Sequence, residues 1–340
     1  MTDDILTDLA DDANRDELRT ALMRAMRALK RAREKTEDLV EAVYRAAGDA
    51  LVSEAGKETP APHISLHGKN PEHALWHLTD WQGGKKTVSY NSEVMRERVH
   101  RFVDKAERIT AIQRADHPVP DCTILLGGDM LEGLFQFPTQ PFEVDATLFA
   151  QWANVSSLLT EVVRRALANH DHVTVVSEWG NHGRIGSRRD AVPRADNLDR
   201  MIYATSRMSL TGEPRLLWDD SPEDIRKVEI GNYRALLLHG DEVGRNGYVG
   251  ERSFLTYLNK LKAGSFGWAF RDAYTGHLHT HNEWAMADGT GAWYQTGSTE
   301  SDNRYARDGL GSAAQPSQRL HFVDPDKGRV TSQFKVWVGE

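Results

Sequence analysis

The sequence is poor in cysteine and in long apolar runs. A single cysteine, Cys122, excludes an internal disulfide, and its place in an apolar run is typical of a small buried residue. The longest apolar runs, such as residues 235–238, are far too short to span a bilayer, so no membrane partner is expected. The first residues are acidic and no apolar stretch follows them, so we expect no secretory signal and a cytoplasmic location.

An excess of positive charge is also missing. The 340 residues include 42 Lys+Arg and 50 Asp+Glu, a formal net charge of −8. A protein that coats DNA without regard to sequence needs a basic surface, so that class is excluded, whereas an enzyme with a locally cationic site is not. With 39% hydrophobic and 27% charged residues the composition is that of a folded protein, and the length allows about two domains.

Three segments follow one another along the chain. Residues 1–52 form an N-terminal helical segment, because apolar positions from Leu18 to Ala50 recur at the four-three spacing of a coiled coil. This helix either forms a homodimer or lies alone on the domain that follows. Residues 53–74 contain three prolines and two glycines and are predicted to be a linker, which leaves residues 75–340 for the main domain.

The main domain first alternates strand and helix and then changes to strands. Hydrophobic periodicity predicts three strands, at 75–79, 122–126 and 173–178, and three helices, at 92–114, 146–168 and 197–209. A hairpin around Gly231-Asn232 and further short strands follow, and the last hairpin turns at residues 324–328. This order predicts an α/β sandwich with mixed sheets.

Five junctions at strand ends carry a side chain that can bind a metal ion. They are Asp80-Trp81-Gln82, Gly128-Asp129, Asn181-His182, His239-Gly240 and His277-Leu278-His279. Each alone is also typical of a turn or of a structural histidine. Because loops at strand ends gather at one edge of a sheet, five such junctions in succession predict a metal site.

In this order the junctions resemble those of the calcineurin-like metallophosphoesterase superfamily, especially phage-encoded phosphoesterases and double-strand-break-repair nucleases. The similarity runs from residue 76 to residue 297 and omits the N-terminal helix and linker. It implies an αββα sandwich of two mixed sheets flanked by helices, in the host cytoplasm if the chain is phage-encoded. It also implies two divalent metal ions, with Mn²⁺ placed first and Fe or Zn²⁺ as alternatives.

The resemblance implies a ligand set for each ion. Asp129 matches the carboxylate that bridges both ions, which together activate a hydroxide and clamp the phosphorus under attack. The other ligands of the first ion are Asp80, Gln82 and His279, and those of the second are Asn181, His239 and His277. Gln82 departs from the family, which usually has histidine there. Since an amide oxygen is a weaker ligand than imidazole, the first ion is expected to bind more loosely or to take water instead.

His182 matches the histidine that binds no metal and stabilises the transition state or protonates the leaving oxygen. Glu132 lies where the family often has the partner that orients this histidine. A second departure is Arg184, since the family most often has an acidic residue after the histidine. Glu132 is therefore expected to take over the orienting role.

Other side chains near the junctions have two interpretations each. Four basic residues either contact flanking phosphates or are solvated loop charges, and they are Lys85, Arg184, Arg188 and Arg189. Three aromatic residues either stack on nucleobases or pack in the core, and they are Trp81, Trp179 and Phe135.

Three functional hypotheses remain. The first is a metal-dependent phosphodiesterase that acts on DNA as a nuclease. The second is a phosphoesterase that acts on a small nucleotide or a cyclic nucleotide. The third is a metal-binding scaffold without catalysis, in which Gln82 marks a degenerate site.

Overall fold

The structure is a computed structural model that describes residues 68–186, 194–219, 221, 223–243, 251–302 and 315–339, together with positions 20, 23, 24, 27 and 59. The predicted helical segment at 1–52 lies almost wholly outside the described residues, and so does most of the predicted linker at 53–74, whose last two residues, His73 and Ala74, lie in the first strand. The homodimer therefore stays a prediction.

The described residues contain eleven strands and four α-helices, labelled in chain order. The strands are β1 (His73–Leu78), β2 (Asp121–Leu126), β3 (His172–Ser177), β4 (Leu216–Asp219), β5 (Arg226–Ile230), β6 (Tyr233–Leu237), β7 (Asp272–Thr275), β8 (Asn282–Ala285), β9 (Ala292–Gln295), β10 (Ser317–Asp324) and β11 (Arg329–Trp337). The helices are α1 (Ser92–Gln113), α2 (Leu148–Asn169), α3 (Leu198–Ser209) and α4 (Glu251–Lys260). A 3₁₀ turn spans Gln140–Phe142, and a π turn at Leu261–Ser265 extends α4.

The strands form two mixed sheets. The first has the order β11-β10-β1-β2-β3-β4, in which β1 to β4 are parallel and β10 is antiparallel to both of its neighbours. The second has the order β5-β6-β7-β9-β8, in which β6, β7 and β9 are parallel and the two outer strands are antiparallel. The prediction of two mixed sheets is confirmed.

The sheets pack face to face through one core, and the helices cover their outer faces. Side chains from both sheets meet there, including Leu75 and Leu125 from the first and Tyr233 and Tyr274 from the second. On the far side of the first sheet, Trp76 of β1 contacts Phe102 of α1 edge to face, with ring centroids 5.7 Å apart. The far side of the second sheet is covered by α4. The layers are therefore α, β, β and α, as predicted.

The three predicted helices begin and end within about two residues of their predicted bounds, because each has a polar cap and an apolar stripe. The side chain of Asn91 accepts a hydrogen bond from Val94 N at the start of α1, and Asn197 caps α3 in the same way. The sequence pattern did not indicate α4. This short helix buries only Phe254 and Leu258, one turn apart, against the second sheet, which is too brief a stripe to identify.

The parallel strands direct their carboxyl ends to one edge of the sandwich. Backbone hydrogen bonds join the loops there. Asp80 N donates to Gly128 O at 3.0 Å, Gly276 N donates to His239 O at 2.9 Å, and Thr299 N donates to Asp80 O at 3.3 Å. This edge therefore holds the junctions of both sheets together.

Among the helices that the structure describes, none combines the length and the apolar character that a bilayer span requires.

Candidate metal centre

The backbone at the junctions is held in an unfavourable conformation. Seven non-glycine residues of the described chain have positive φ, and five of them are predicted ligands: Asp80 (52°), Gln82 (48°), Asp129 (53°), His277 (66°) and His279 (55°). Residues other than glycine rarely adopt this left-handed region of backbone conformation, and such strain persists only where the surrounding structure imposes it. The fold therefore stores strain to direct these five side chains inward.

Two junction glycines are required by close packing against the carboxylates. A Cβ atom at Gly180 would lie 1.9 Å from Asp129 Oδ1, and one at Gly276 would lie 2.2 Å from Asp80 Oδ2. Neither position can carry a side chain without displacing a predicted ligand. This explains why glycine precedes Asn181 and His277 in the motifs.

The predicted ligands of the first ion lie around one point. His279 Nε2 is 3.2 Å from Asp80 Oδ1. The amide nitrogen of Gln82 is 3.4 Å from His279 Nε2 and 3.4 Å from Asp129 Oδ2. The amide group of Gln82 thus contacts two other predicted ligands, His279 and Asp129.

The predicted ligands of the second ion also lie around Asp129. His239 Nε2 is 3.2 Å from Asp129 Oδ2 and 3.1 Å from Asn181 Oδ1. Ligand atoms of Asp129, His239 and His277 all lie within 4.8 Å of one another. Because Asp129 takes part in both groups, it stands where a bridging carboxylate is expected.

The unsatisfied charge of this cluster fits metal ions. Asp80 and Asp129 are 0% and 1% exposed, and no described lysine or arginine pairs with either of them. Asp80 Oδ1 and Gln82 Oε1 are buried and receive no hydrogen bond of acceptable geometry in the described chain. Buried carboxylates without a cation are costly, and a divalent ion at this point would compensate for them.

Two of the predicted ligand histidines are oriented by partners that contact the ring nitrogen facing away from the centre. His239 Nδ1 donates to Gly127 O at 2.7 Å, and His279 Nδ1 lies 2.7 Å from Glu300 Oε1. A hydrogen bond to the outer nitrogen fixes the tautomer that leaves the inner nitrogen for a metal ion. Glu300 was not predicted, since nothing in its local sequence links it to His279.

The carboxylates also control the protonation of the histidines. Although burial opposes it, Asp129 raises the pKa of His239, and Glu300 and Asp80 raise that of His279, both well above the ordinary value. Burial and the neighbouring His239 lower the pKa of His277 to about 4. The neighbouring carboxylates therefore favour the charged forms of His239 and His279, and a metal ion that binds these nitrogens would have to displace those protons.

His182 is held beside the centre by an acidic partner. Its Nδ1 is 3.1 Å from Glu132 Oε2, and its Nε2 is 3.9 Å from Asp129 Oδ2. Burial lowers the pKa of His182, but Glu132 and Asp129 outweigh it and raise that pKa to about 9. The structure thus brings Glu132 to the histidine that the sequence assigned to it.

The described basic residues pair with acids instead of standing free. Lys85 is 7% exposed, and its Nζ is 3.1 Å from Glu132 Oε1. Arg184 forms an ion pair with Asp241. These contacts turn both groups toward protein carboxylates, and their predicted contact with phosphate stays a prediction. Arg188 and Arg189 lie outside the described residues.

A buried aspartate that the sequence analysis did not identify holds the backbone of two junctions of the centre. Asp199, 0% exposed at the start of α3, accepts hydrogen bonds from the backbone N–H groups of Asp129, Met130 and Gly180 at 2.8, 3.0 and 2.9 Å. Burial, with the charge of Asp129, raises the pKa of Asp199 to about 6. It fixes two of the ligand-bearing junctions to each other.

The aromatic residues near the motifs divide into two classes. Trp81 and Trp179 are 0% and 3% exposed and pack in the core, whereas Phe135 is 37% exposed.

Comparisons with known proteins give only distant similarities. No family model matches the chain, and no curated protein matches it. Solved structures that match include Vps29 of Entamoeba histolytica in complex with zinc, which is 13% identical, with 78% of this chain and 99% of that chain covered and a TM-score of 0.34. A hypothetical protein of Pyrococcus horikoshii is 12% identical over 78% and 88% of the two chains, with a TM-score of 0.37. Phosphopantetheinyl hydrolase of Mycobacterium tuberculosis is 13% identical over 78% and 100%, with a TM-score of 0.33.

At these TM-scores the neighbours contribute nothing to the assignment of an activity, which depends on the site itself. The chain resembles the calcineurin-like metallophosphoesterases. The likeness lies in the order of the ligand-bearing junctions and in the two-sheet sandwich whose edge brings them together.

Proposed function

We propose that this chain is a phosphodiesterase that uses two divalent metal ions and that its substrate is DNA. The observation that carries the proposal is the position of Asp129. Its Oδ2 lies 3.4 Å from Gln82 Nε2, 3.2 Å from His239 Nε2 and 3.9 Å from His182 Nε2. One carboxylate shared by two ligand groups and faced by an acid–base histidine suits phosphoester hydrolysis.

The ligand set fits a hard divalent ion. The carboxylates of Asp80 and Asp129 and the amides of Gln82 and Asn181 supply oxygen, which suits Mn²⁺, and the histidines supply nitrogen. When bound, the two ions clamp the phosphate and lower the pKa of the attacking water.

The protein's own part in the reaction is to deliver a proton. His182 Nδ1 forms an ion pair with Glu132 Oε2 at 3.1 Å and lies 3.3 Å from Glu132 O, which leaves Nε2 directed at the centre, within reach of a leaving oxygen bound there. Lys85 contacts the other oxygen of Glu132, Oε1, and so fixes this carboxylate beside the imidazole. His182 in its imidazolium form donates its Nε2 proton to the oxygen that departs.

The experiment is Mn²⁺-dependent cleavage of end-labelled single-stranded and double-stranded DNA, with a generic aryl phosphodiester alongside. Asp129→Asn should abolish cleavage and lower the metal content at both positions, since the shared ligand loses its charge. The matched control is Asp121→Asn, at the start of the strand that precedes Asp129. This variant should keep both the cleavage activity and the metal content of the wild type.

The outcomes separate the three hypotheses. DNA cleavage that Asp129→Asn abolishes supports the proposal. Cleavage of the aryl ester alone would replace DNA by a small nucleotide as the substrate. Normal metal content in Asp129→Asn would overturn the site, and metal binding without cleavage of any substrate would favour the scaffold.

A further inference from the structure

Loops around the candidate centre expose large apolar side chains. They are Val88 after β1, Phe135 and Phe142 after β2, and Ile185 after β3, which are 94, 37, 87 and 42% exposed, and we call these four residues the apolar rim. Nine large hydrophobic side chains are exposed in the described chain, and the rim holds four of them, including both phenylalanines. Single exposed apolar residues are ordinary, but their concentration in the loops of one edge indicates a binding surface.

The loop that carries Phe135 and Phe142 is anchored at both ends. Gly133 N donates to the side chain of Gln151 at 2.9 Å, and Asp145 N donates to Gly84 O at 2.9 Å. The two phenylalanines are therefore presented by a defined backbone, although each exposes apolar area to water.

The same loop contacts the acid–base histidine. Gln140 Oε1 accepts from the backbone N–H groups of Gln136 and Phe137 at 2.8 and 3.1 Å, and Gln140 Nε2 lies 3.2 Å from His182 Nδ1. The ring of Phe137 packs against the imidazole of His182, with centroids 5.3 Å apart and planes at 62°. A leaving group that takes a proton from His182 would therefore lie beside the ring of Phe137.

Two of the described cations that the sequence offered for phosphate contact are paired with carboxylates. Lys85 is held by Glu132 and Glu143 at 3.1 and 3.2 Å, and Arg184 is held by Asp241. The charge of both cations is therefore already balanced by the protein. Duplex DNA is bound largely by cations along its phosphates, whereas single strands are also held by bases stacked on aromatic rings.

On the basis of the proposed function, we propose that the two phenylalanines of the apolar rim stack on unpaired nucleobases beside the scissile phosphate and make single-stranded nucleic acid the preferred substrate. In a duplex the bases are already paired and stacked, so they cannot reach Phe135 or Phe142.

The test compares three substrates of one sequence: a single strand, its duplex, and a single strand with abasic residues on both sides of the cleaved bond. The wild type should cleave the ordinary single strand with the highest kcat/KM. Phe142→Ala and Phe135→Ala should each lower kcat/KM on that strand by about tenfold, the scale of one lost stacking contact. Neither should change cleavage of the abasic strand.

Controls separate stacking from simple loss of bulk. Phe142→Tyr keeps an aromatic face and should cleave as the wild type does. Leu217→Ala truncates a side chain of similar exposure (64%) on β4 and should have no effect. An equal loss on ordinary and abasic strands, or a preference of the wild type for duplex, would overturn the rim as a base-binding surface. Cleavage of the abasic strand by the wild type would meanwhile show that the phosphodiesterase activity stands, and absence of cleavage on all three substrates would overturn both proposals.

Discussion

Two clusters of buried histidines in this molecule have opposite tendencies to take up a proton. At the candidate metal centre, His239 and His279 face carboxylates that raise their pKa values well above the ordinary range. Between the sheets, His77 and His321 are 0% exposed, like His239, but burial and the neighbouring Arg319 lower their pKa values well below the ordinary range. Burial alone therefore does not make a histidine a metal ligand.

In the second cluster, His321 has a protein partner at both ring nitrogens, whereas His77 has one at Nδ1 only among the described residues. His321 Nδ1 lies 2.9 Å from Tyr274 Oη, and its Nε2 lies 3.1 Å from Arg319 Nη1. His77, only three residues before Asp80, lies 2.7 Å from Thr296 Oγ1. Three residues along the chain thus separate a structural histidine from a predicted metal ligand. The two kinds of histidine differ in their neighbours, which are carboxylates at the candidate centre and the guanidinium of Arg319 between the sheets.

The largest effect within this comparison is expected for His182, which has a carboxylate partner but no predicted contact with metal. His182→Gln should lower kcat by about 100-fold or more, because the leaving oxygen loses its proton donor. Metal content by elemental analysis should stay at the wild-type level, and His172→Gln, at an exposed histidine, should change neither quantity. Unchanged turnover would remove His182 from the reaction.

A smaller effect is expected where a carboxylate supports the centre without touching a metal. Asp199→Ala removes the acceptor of three backbone hydrogen bonds, so the junctions that carry Asp129 and Asn181 should shift. Metal affinity should fall by about 10- to 100-fold in a titration, the usual loss for a partner that orients ligands. Asp199→Asn keeps one acceptor oxygen and should recover part of the affinity. Equal affinity for all three proteins would show that Asp199 has no positioning role.

The contrast between local and distant partners also explains what could be predicted from the sequence. The predicted ligands could be named from the sequence because each lies in a loop that follows a strand, and parallel strands bring their carboxyl ends to one edge of a sheet. The strand and helix order was identifiable for the same reason, since periodicity is a local property.

Partners supplied by distant segments were not identifiable. Glu300 reaches His279 from a loop after β9, and Asp199 reaches Asp129 from α3. For Arg184 the sequence left two interpretations open, a contact with phosphate or a solvated loop charge, and it did not indicate the ion pair with Asp241, which is made by tertiary packing. Ion pairs of this kind follow no sequence period.

The histidines between the sheets should make stability depend on pH. The folded state keeps His321 neutral, whereas the unfolded chain protonates it below about pH 6.5. The unfolded state thus binds more protons, and the free energy of unfolding should fall as pH drops below 6.5, by at most about 1.4 kcal/mol per pH unit for this residue. The free energy of unfolding, measured with urea at several pH values, should depend less steeply on pH in His321→Gln than in the wild type. His172→Gln should keep the pH dependence of the wild type. Parallel slopes for all three proteins would contradict the assignment.

The smallest effect should come from giving the first ion the ligand that the family usually has. Gln82→His replaces an amide by an imidazole at a position whose φ of 48° histidine tolerates better than most residues. Because imidazole is the stronger ligand for Mn²⁺ or Zn²⁺, the weaker of two metal-binding steps should tighten several-fold in a titration, while the other step stays constant. Gln333→His, on β11, is the matched control and should leave both steps unchanged. If Gln82→His leaves them unchanged too, the amide does not contact the ion, and the nearby His279 and Asp80 hold it with water instead.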